Sequence, residues 1–308
     1  MKEILVHGHQ KPDTDSIASA IAFAHFLREK GKDAEAAALG QTSAETAYAL
    51  DEFSLDAPRI IESAKEEAEK LALVDHNEFQ QSVKDIEEME IYSVVDHHKI
   101  ANFVTPGPVF YRAEPLGCTC SIIYKLYKEN GISIPRDIAG IMVSAIISDT
   151  LLFNSPTCTE EDEEIAKDLA EIAGLNLKEY GLNLLRAGAD VSGKSSEEIL
   201  EGDAKTFEFE DLKFRIGQVN VVDHDDVLDM KEDLVKAMDN FVEAEGYGAY
   251  LLIVTDILTS DSVGLVRGEK SEEIAQIFGQ DLEDNEFDMD GVVSRKKQVV
   301  PPISERYS

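Results

Sequence analysis

Apolar and polar positions come in alternating blocks along the first half of the chain. Glu3–Val6 is a short apolar run of the kind that forms a strand buried on both faces. After it, Asp15-Ser16 reads as the cap of a helix whose apolar residues Ile17, Ala20, Ile21, Ala24 and Leu27 share one face, with Gly31 at its end. Ala34–Leu39, Lys70–Val74 and Ile91–Val95 are further strand candidates, and Pro135–Ser148 is an apolar helix with proline at its start. Strands alternating with helices predict a parallel sheet with helices on both faces.

The pattern changes near residue 190. Ala204–Phe209 and Phe214–Val222 read as strands around a turn, and Asp225–Glu245 as one long amphipathic helix with Val227, Met230, Leu234, Met238 and Phe241 on a side. Tyr250–Thr255 and Ser262–Val266 are strands, and Ser271–Phe278 is a helix. This predicts a second, smaller α/β domain. Gly, Ser and Asp cluster in Gly188–Ser195, so the expected division is 1–187, a linker at 188–195, and 196–308.

Composition narrows the functions. The 308 residues carry 62 acidic and 29 basic side chains, a net charge of −33. Such a field opposes binding to nucleic acid or to anionic membranes. No apolar run approaches the ~20 residues that span a bilayer, and Met1–Val6 leads straight into polar motifs rather than a signal peptide. The odd count of three cysteines, Cys118, Cys120 and Cys158, suits reduced, buried thiols and a cytoplasmic protein better than a disulfide framework. Cys118-x-Cys120 lacks the second cysteine pair of a zinc site.

The chemistry gathers at the ends of apolar segments. His7-Gly8-His9-Gln10-Lys11-Pro12-Asp13-Thr14-Asp15-Ser16 follows the first strand, and the turn at Gly8 and Pro12 allows His9, Asp13 and Asp15 to converge. Val74-Asp75-His76 and Val95-Asp96-His97-His98 end two more strands, and Val143–Ile147 runs into Ser148-Asp149. Parallel strands place such ends along one edge, where open α/β sheets hold their sites. Mixed imidazole and carboxylate donors suit Mn²⁺, Co²⁺, Zn²⁺ or Fe²⁺ better than Ca²⁺, and they are numerous enough for two ions.

Together these motifs make the chain resemble the family II inorganic pyrophosphatases, manganese-dependent members of the DHH phosphoesterase superfamily. The resemblance runs through His7–Ser16, Val74–Asn77, Asp96–His98, Ser148–Thr150, Asp203–Lys205, Gln218–Asn220 and Ser294–Lys297. It implies an N-terminal parallel-sheet DHH domain and a smaller C-terminal mixed-sheet domain of the DHHA2 type. It assigns His9 and Asp13 to one metal and Asp15, His97 and Asp149 to another, with Asp75 bridging. His98 becomes a substrate-side catalytic histidine, and Lys205, Arg295 and Lys296 the cations that bind pyrophosphate. Asp96 is left outside the ligand set, as a supporting group. Two Mn²⁺ or Co²⁺ ions per subunit, substrate arriving as a Mg²⁺ complex, hydroxide activated between the metals, and a homodimer all follow from the resemblance. The rivals are another DHH phosphoesterase, acting on short oligonucleotides or adenosine bisphosphate, and a metal store without activity. The Gly-Gly-Gly-His-type motif of the former and the CBS insertion of some pyrophosphatases do not occur.

Two motifs read as coincidences. Gly188-x-x-x-x-Gly193-Lys194-Ser195 fits a phosphate loop, but the residues before it read as a helix end and Ser195 with Glu198 as a capping box. Glu286-x-Asp288-x-Asp290-Gly291 resembles a calcium loop, yet Lys297 falls where a bidentate glutamate is needed, so the acidic run 281–290 is expected to be a solvated loop.

Overall fold

Six parallel strands form the first sheet: β1 (Lys2–His7), β2 (Ala34–Ala38), β3 (Arg59–Ile60), β4 (Ala68–Val74), β5 (Glu90–Asp96) and β6 (Phe110–Ala113). The computed structural model describes residues 2–209 and 212–307, and the chain divides into two compact units, Met1–Gly188 and Ala189–Ser308. The strand order is β3-β2-β1-β4-β5-β6. The chain therefore builds outward from β1 in one direction, then returns to its other side with β4. That reversal creates a switch point at the C-terminal ends of β1 and β4, the place where open parallel sheets leave a crevice. Ile4–His7 and Leu71–Val74 are wholly buried, as expected of central parallel strands.

The helices of this unit are α1 (Thr14–Glu29), α2 (Ala44–Glu52), α3 (Thr119–Glu129), α4 (Arg136–Thr150), α5 (Glu160–Ala173) and α6 (Leu177–Ala189). Small buried residues on α1 (Ala18, Ala20, Ala22, Ala24) let it lie close against α4 and the sheet. The other face of the sheet, with Leu5, Leu71, Leu73 and Val94, is covered by Ile61, Ala64, Val83 and Ile86. These come from irregular segments and single 3₁₀ turns, and no α-helix among the described residues contributes to this patch. The connection 61–67 is too short for a packed α-helix, and 75–89 is taken up by the loop after Asp75 and two 3₁₀ turns.

The second unit holds α7 (Ser196–Gly202), β7 (Ala204–Phe209), β8 (Leu212–Val221), α8 (Asp225–Leu228), α9 (Lys231–Glu245), β9 (Ala249–Asp256), β10 (Asp261–Arg267), α10 (Ser271–Ile277), β11 (Glu286–Met289) and α11 (Val300–Tyr307). Its sheet runs β11-β10-β9-β8-β7, with β8 and β9 parallel and the remaining pairs antiparallel. All eight residues of β9 are buried. Leu251 and Ile253 face a core with Phe214, Phe287 and Ile303, while Tyr250, Leu252 and Val254 face Val227, Leu234 and Met238.

Three local expectations change. The cap of α1 is Asp13, whose side chain accepts from the Ser16 amide, and Asp15 lies buried in the first turn. The helix expected over Asp225–Glu245 breaks at Asp229-Met230 into α8 and α9. Part of the acidic run 281–290 is the edge strand β11, because Phe287 and Met289 alternate inward between exposed or half-buried acids. The turn between β7 and β8 includes residues 210 and 211, which lie outside the described residues.

Candidate metal centre

The ends of β1, β4 and β5 meet level with one another: His7 lies beside Leu73, and Val74 beside Val95. Immediately after β1 the chain turns at Gly8, where a Cβ would come within 1.9 Å of Ser16 Oγ. Lys11 takes a left-handed φ of 54°, and the loop is tied down by Gln10, whose amide and side chain donate to the carbonyls of Gln81 and Ser82. Asp75, directly after β4, also has a left-handed φ, 58°, uncommon for a residue with a side chain and frequent at functional sites. Asp149 arrives differently. The apolar segment before it is the helix α4, so this acid sits at a helix C-terminus, where the backbone dipole disfavours negative charge.

These elements bring the six expected ligands into two sets, each with donor atoms within 4.8 Å of one another: His9, Asp13 and Asp75, and Asp15, His97 and Asp149. His9 Nε2 is 3.4 Å from both Asp13 Oδ2 and Asp75 Oδ2, and His97 Nε2 is 3.5 Å from Asp75 Oδ1. Asp75 thus stands between the histidines of both sets. Each imidazole has its Nδ1 committed to a backbone carbonyl, His9 to Gln10 at 2.8 Å and His97 to Leu116 at 3.0 Å. Donation from Nδ1 turns Nε2 toward the carboxylates, so that loss of the Nε2 proton gives the tautomer that binds a metal. Asp75 Oδ2 is buried with only the long 3.4 Å approach of His9 Nε2 against it, which leaves it room to accept a cation.

The electrostatics agree. Burial disfavours charge on His9, but the hydrogen bonds of Asp13 and Asp75 outweigh it and lift the imidazole to about 11. His97 rises to about 9 because Asp75 and Asp15 outweigh its burial. Burial, then the charge of Asp75, push Asp15 up to about 6, and burial, Asp15 and Asp75 push Asp149 upward as well. Against its own burial, Asp75 is held well below the usual carboxylate range by hydrogen bonds from His9 and His97. Without cations, the cluster retains protons to offset its concentrated negative charge.

A layer behind these donor groups fixes them. At the N-terminus of α3, the Thr119 and Cys120 amides donate to Asp15 at 2.6 and 3.2 Å, and the Thr119 hydroxyl donates to Asp75 Oδ1 at 3.1 Å. Asp96 accepts from the amide and Nδ1 of His98, both at 3.0 Å, and from Asn77 at 2.6 Å. That hydrogen bond is the main reason the His98 pKa is raised. His98 is half exposed and, with His9, Asp75, Glu78, Gln81 and Lys99, lines a cavity of about 130 Å³. Sequence reasoning did not single out Thr119, and Leu116 contributes only its carbonyl, which no side-chain pattern signals.

In the second unit, Lys205 and Lys296 are exposed, whereas Arg295 is 9% exposed. The Arg295 guanidinium donates to the Asp203 carboxylate at 2.8 Å and to the Asp203 and Ile216 carbonyls. Gln218 Oε1 accepts from the Arg295 amide at 3.2 Å, so the Asp203, Gln218 and Arg295 motifs form one polar cluster. The phosphate-loop pattern at 188–195 follows the helix α6 rather than a strand, and Ser195 and Glu198 form the capping box of α7. Cys118 and Cys120 are fully buried, with burial raising both thiols, Cys120 to about 11.

Residues 3–146 match the DHH family, N-terminal domain, and residues 182–306 match the DHHA2 domain. The chain is 52% identical, over 99% of its length and 98% of the relative's, to a protein of Shouchella clausii described as a probable manganese-dependent inorganic pyrophosphatase. A Bacillus cereus protein of the same description is 50% identical over 100% of this chain and 99% of its own. The chain belongs to the family II inorganic pyrophosphatases. The crystal structure of a Methanococcus jannaschii protein described as a member of this family superposes with a TM-score of 0.65 at 42% identity, covering 99% of both chains. Family membership thus joins the two-unit α/β fold to the clustered donors at the first sheet's edge. No helix among the described residues is long and apolar enough to cross a membrane.

Proposed function

We propose that this pyrophosphatase-family chain hydrolyses inorganic pyrophosphate to two phosphates, using divalent cations held at the ends of β1, β4 and β5. The observation that carries this reading is the pair of donor sets joined through Asp75. His9 and Asp13 would hold one Mn²⁺ or Co²⁺, and Asp15, His97 and Asp149 a second, with Asp75 shared. Two such ions supply Lewis acidity that generates hydroxide from water near neutral pH and offsets phosphate charge. The protein supplies position and charge. The Nδ1 bonds of His9 and His97 hold each ring with Nε2 inward. His98, its pKa raised by the hydrogen bond to Asp96, would donate a hydrogen bond to a phosphate oxygen from the cavity wall.

Lys205, Arg295 and Lys296 of the second unit would hold the phosphate oxygens of a Mg²⁺-complexed substrate. Arg295 would exchange its bond to the Asp203 carboxylate for a phosphate, a swap between two planar or forked acceptors that suits guanidinium. The functional division is 1–187 for metals, 188–195 as a hinge and 196–308 for substrate. The cytoplasm, with its reduced thiols, is the proposed location. The proposed assembly is a homodimer through the first unit, supported by the edge strand β6 with its exposed Phe110 and by the exposed Ile100 and Val104 in the segment that leads into it. The oligonucleotide and adenosine bisphosphate readings have no observation in their favour. Phosphate release from pyrophosphate by Mn²⁺-loaded protein, abolished by chelation, is the expected result. Loaded protein that leaves pyrophosphate intact would refute the proposal.

A further inference from the structure

Glu45 stands in the first turn of α2 and touches neither donor set, yet it joins the two helix ends that carry three of the proposed ligands. Its Oε1 accepts from the Thr14 hydroxyl at 2.6 Å and from the Ser148 hydroxyl at 2.5 Å. Thr14 lies between Asp13 and Asp15 at the start of α1, and Ser148 precedes Asp149 at the end of α4. No basic side chain pairs with Glu45 among the described residues. A half-buried carboxylate without a cation is costly unless its hydrogen bonds do something specific. The site has reason to need such a clasp: Asp15 and Asp149 repel each other, and the dipole of α4 adds to the strain on Asp149.

We propose that Glu45 is a positioning residue for the metal centre, clasping the end of α1 to the end of α4 so that Asp13, Asp15 and Asp149 stay at ligand spacing. Thr14 is held from a second side by Thr46, hydroxyl to hydroxyl at 3.1 Å, so α2 grips α1 at two successive residues. The Glu45 side chain is itself confined by Gly188, where a Cβ would come within 2.8 Å of Oε2 and 3.0 Å of the Glu45 Cβ. The first of those atoms is the end of a flexible chain. Gly188→Ala should therefore swing the carboxylate while raising helix propensity in α6.

The inference rests on the metal-centre reading, and the experiment separates the two. Mn²⁺ dissociation constants are measured by equilibrium dialysis, with visible absorption of the Co²⁺-loaded protein, for wild type, Glu45→Ala, Glu45→Gln, Ser148→Ala and Gly188→Ala. Wild type that binds neither ion overturns the metal centre itself. Given binding by wild type, Glu45→Ala should weaken Mn²⁺ affinity by about 10–100-fold and change the Co²⁺ spectrum. Glu45→Gln should recover most of the affinity, because an amide oxygen accepts from both hydroxyls. Ser148→Ala and Gly188→Ala should weaken binding several-fold, on the order of a lost hydrogen bond. A folded Glu45→Ala protein with wild-type affinity and spectrum overturns the clasp. If Glu45→Ala fails to fold, unchanged affinity and spectrum in both Ser148→Ala and Gly188→Ala overturn it instead.

Discussion

The edge of the first sheet and the basic cluster of the second unit handle charge in opposite ways. At the sheet edge Asp15, Asp75 and Asp96 are buried, His9, His97 and Asp149 are half-buried, and the crowded groups are fixed from behind by Leu116, Thr119 and Asn77. In the second unit Lys205 and Lys296 stand in solvent, and only Arg295 is buried, tied to a single acid, Asp203. A resident cation needs its donors assembled beforehand, since repulsion among acids would otherwise scatter them. A passing anion needs cations able to change partners. On the proposed roles, the first region is organised for permanence and the second for exchange.

The contrast is tested most severely at Asp75. Asp75→Asn removes the charge between the two histidines and should cost at least one ion and at least ~10²-fold in turnover, read by metal analysis and phosphate release. Full metal content with near-normal turnover would break the shared role. Next in size, Arg295→Ala should leave metal content intact and lower kcat/KM by roughly 10–150-fold, the worth of a charge-assisted contact. Arg295→Lys should rescue only part of that loss. An Arg295→Ala protein that sheds metal would erase the division between the regions.

Proton competition comes third. His9 and His97 are raised to about 11 and about 9, and must lose their protons to bind a metal. Mn²⁺ affinity should therefore climb between pH 6 and 9, by up to ~10-fold per pH unit for each proton displaced, as measured by titration calorimetry in two buffers. The same shifts bear on the chelated protein. A base with a raised folded pKa contributes stability that is full below its unfolded value and is lost as pH passes its folded value. Asp15, an acid raised to about 6, costs stability once pH exceeds its ordinary carboxylate range. Both signs agree, so the melting temperature of chelated protein should fall from pH 5 to 9, and Mn²⁺ should flatten that slope. The smallest effect concerns the second unit alone. Ser195→Ala breaks the capping box of α7 and should cost about 0.5–2 kcal/mol by denaturant melting, with metal affinity untouched.

What could be read from the sequence was what is local. A buried apolar run ending in Asp or His announces both a central strand and its chemistry, and β1, β4 and β5 were visible that way. Asp13 and Asp15 both precede the apolar face, so the pattern alone does not say which of them caps α1. In the structure α1 begins at Thr14, with Asp13 as its cap. The break at Asp229-Met230 hides because Met230 continues the apolar stripe through it. Phe287 and Met289 did alternate, but the surrounding acids masked the strand they make. Thr119 and Glu45 carry no local signature at all. Their roles depend on contacts with residues about 30 to 105 positions away, which only a folded chain supplies.

The proposed ligands are spread from His9 to Asp149, and that spacing governs when a metal can enter during synthesis. A chain still growing on the ribosome has the loop after β1 early, but α4 emerges some 140 residues later. Until then the second donor set lacks Asp149, and the α3 groups that hold Asp15 and Asp75 have themselves only just emerged. Cation capture would be among the last events in the maturation of the first unit. Scarcity of manganese should then leave a folded but unloaded enzyme awaiting its ions, rather than a chain stalled partway through folding.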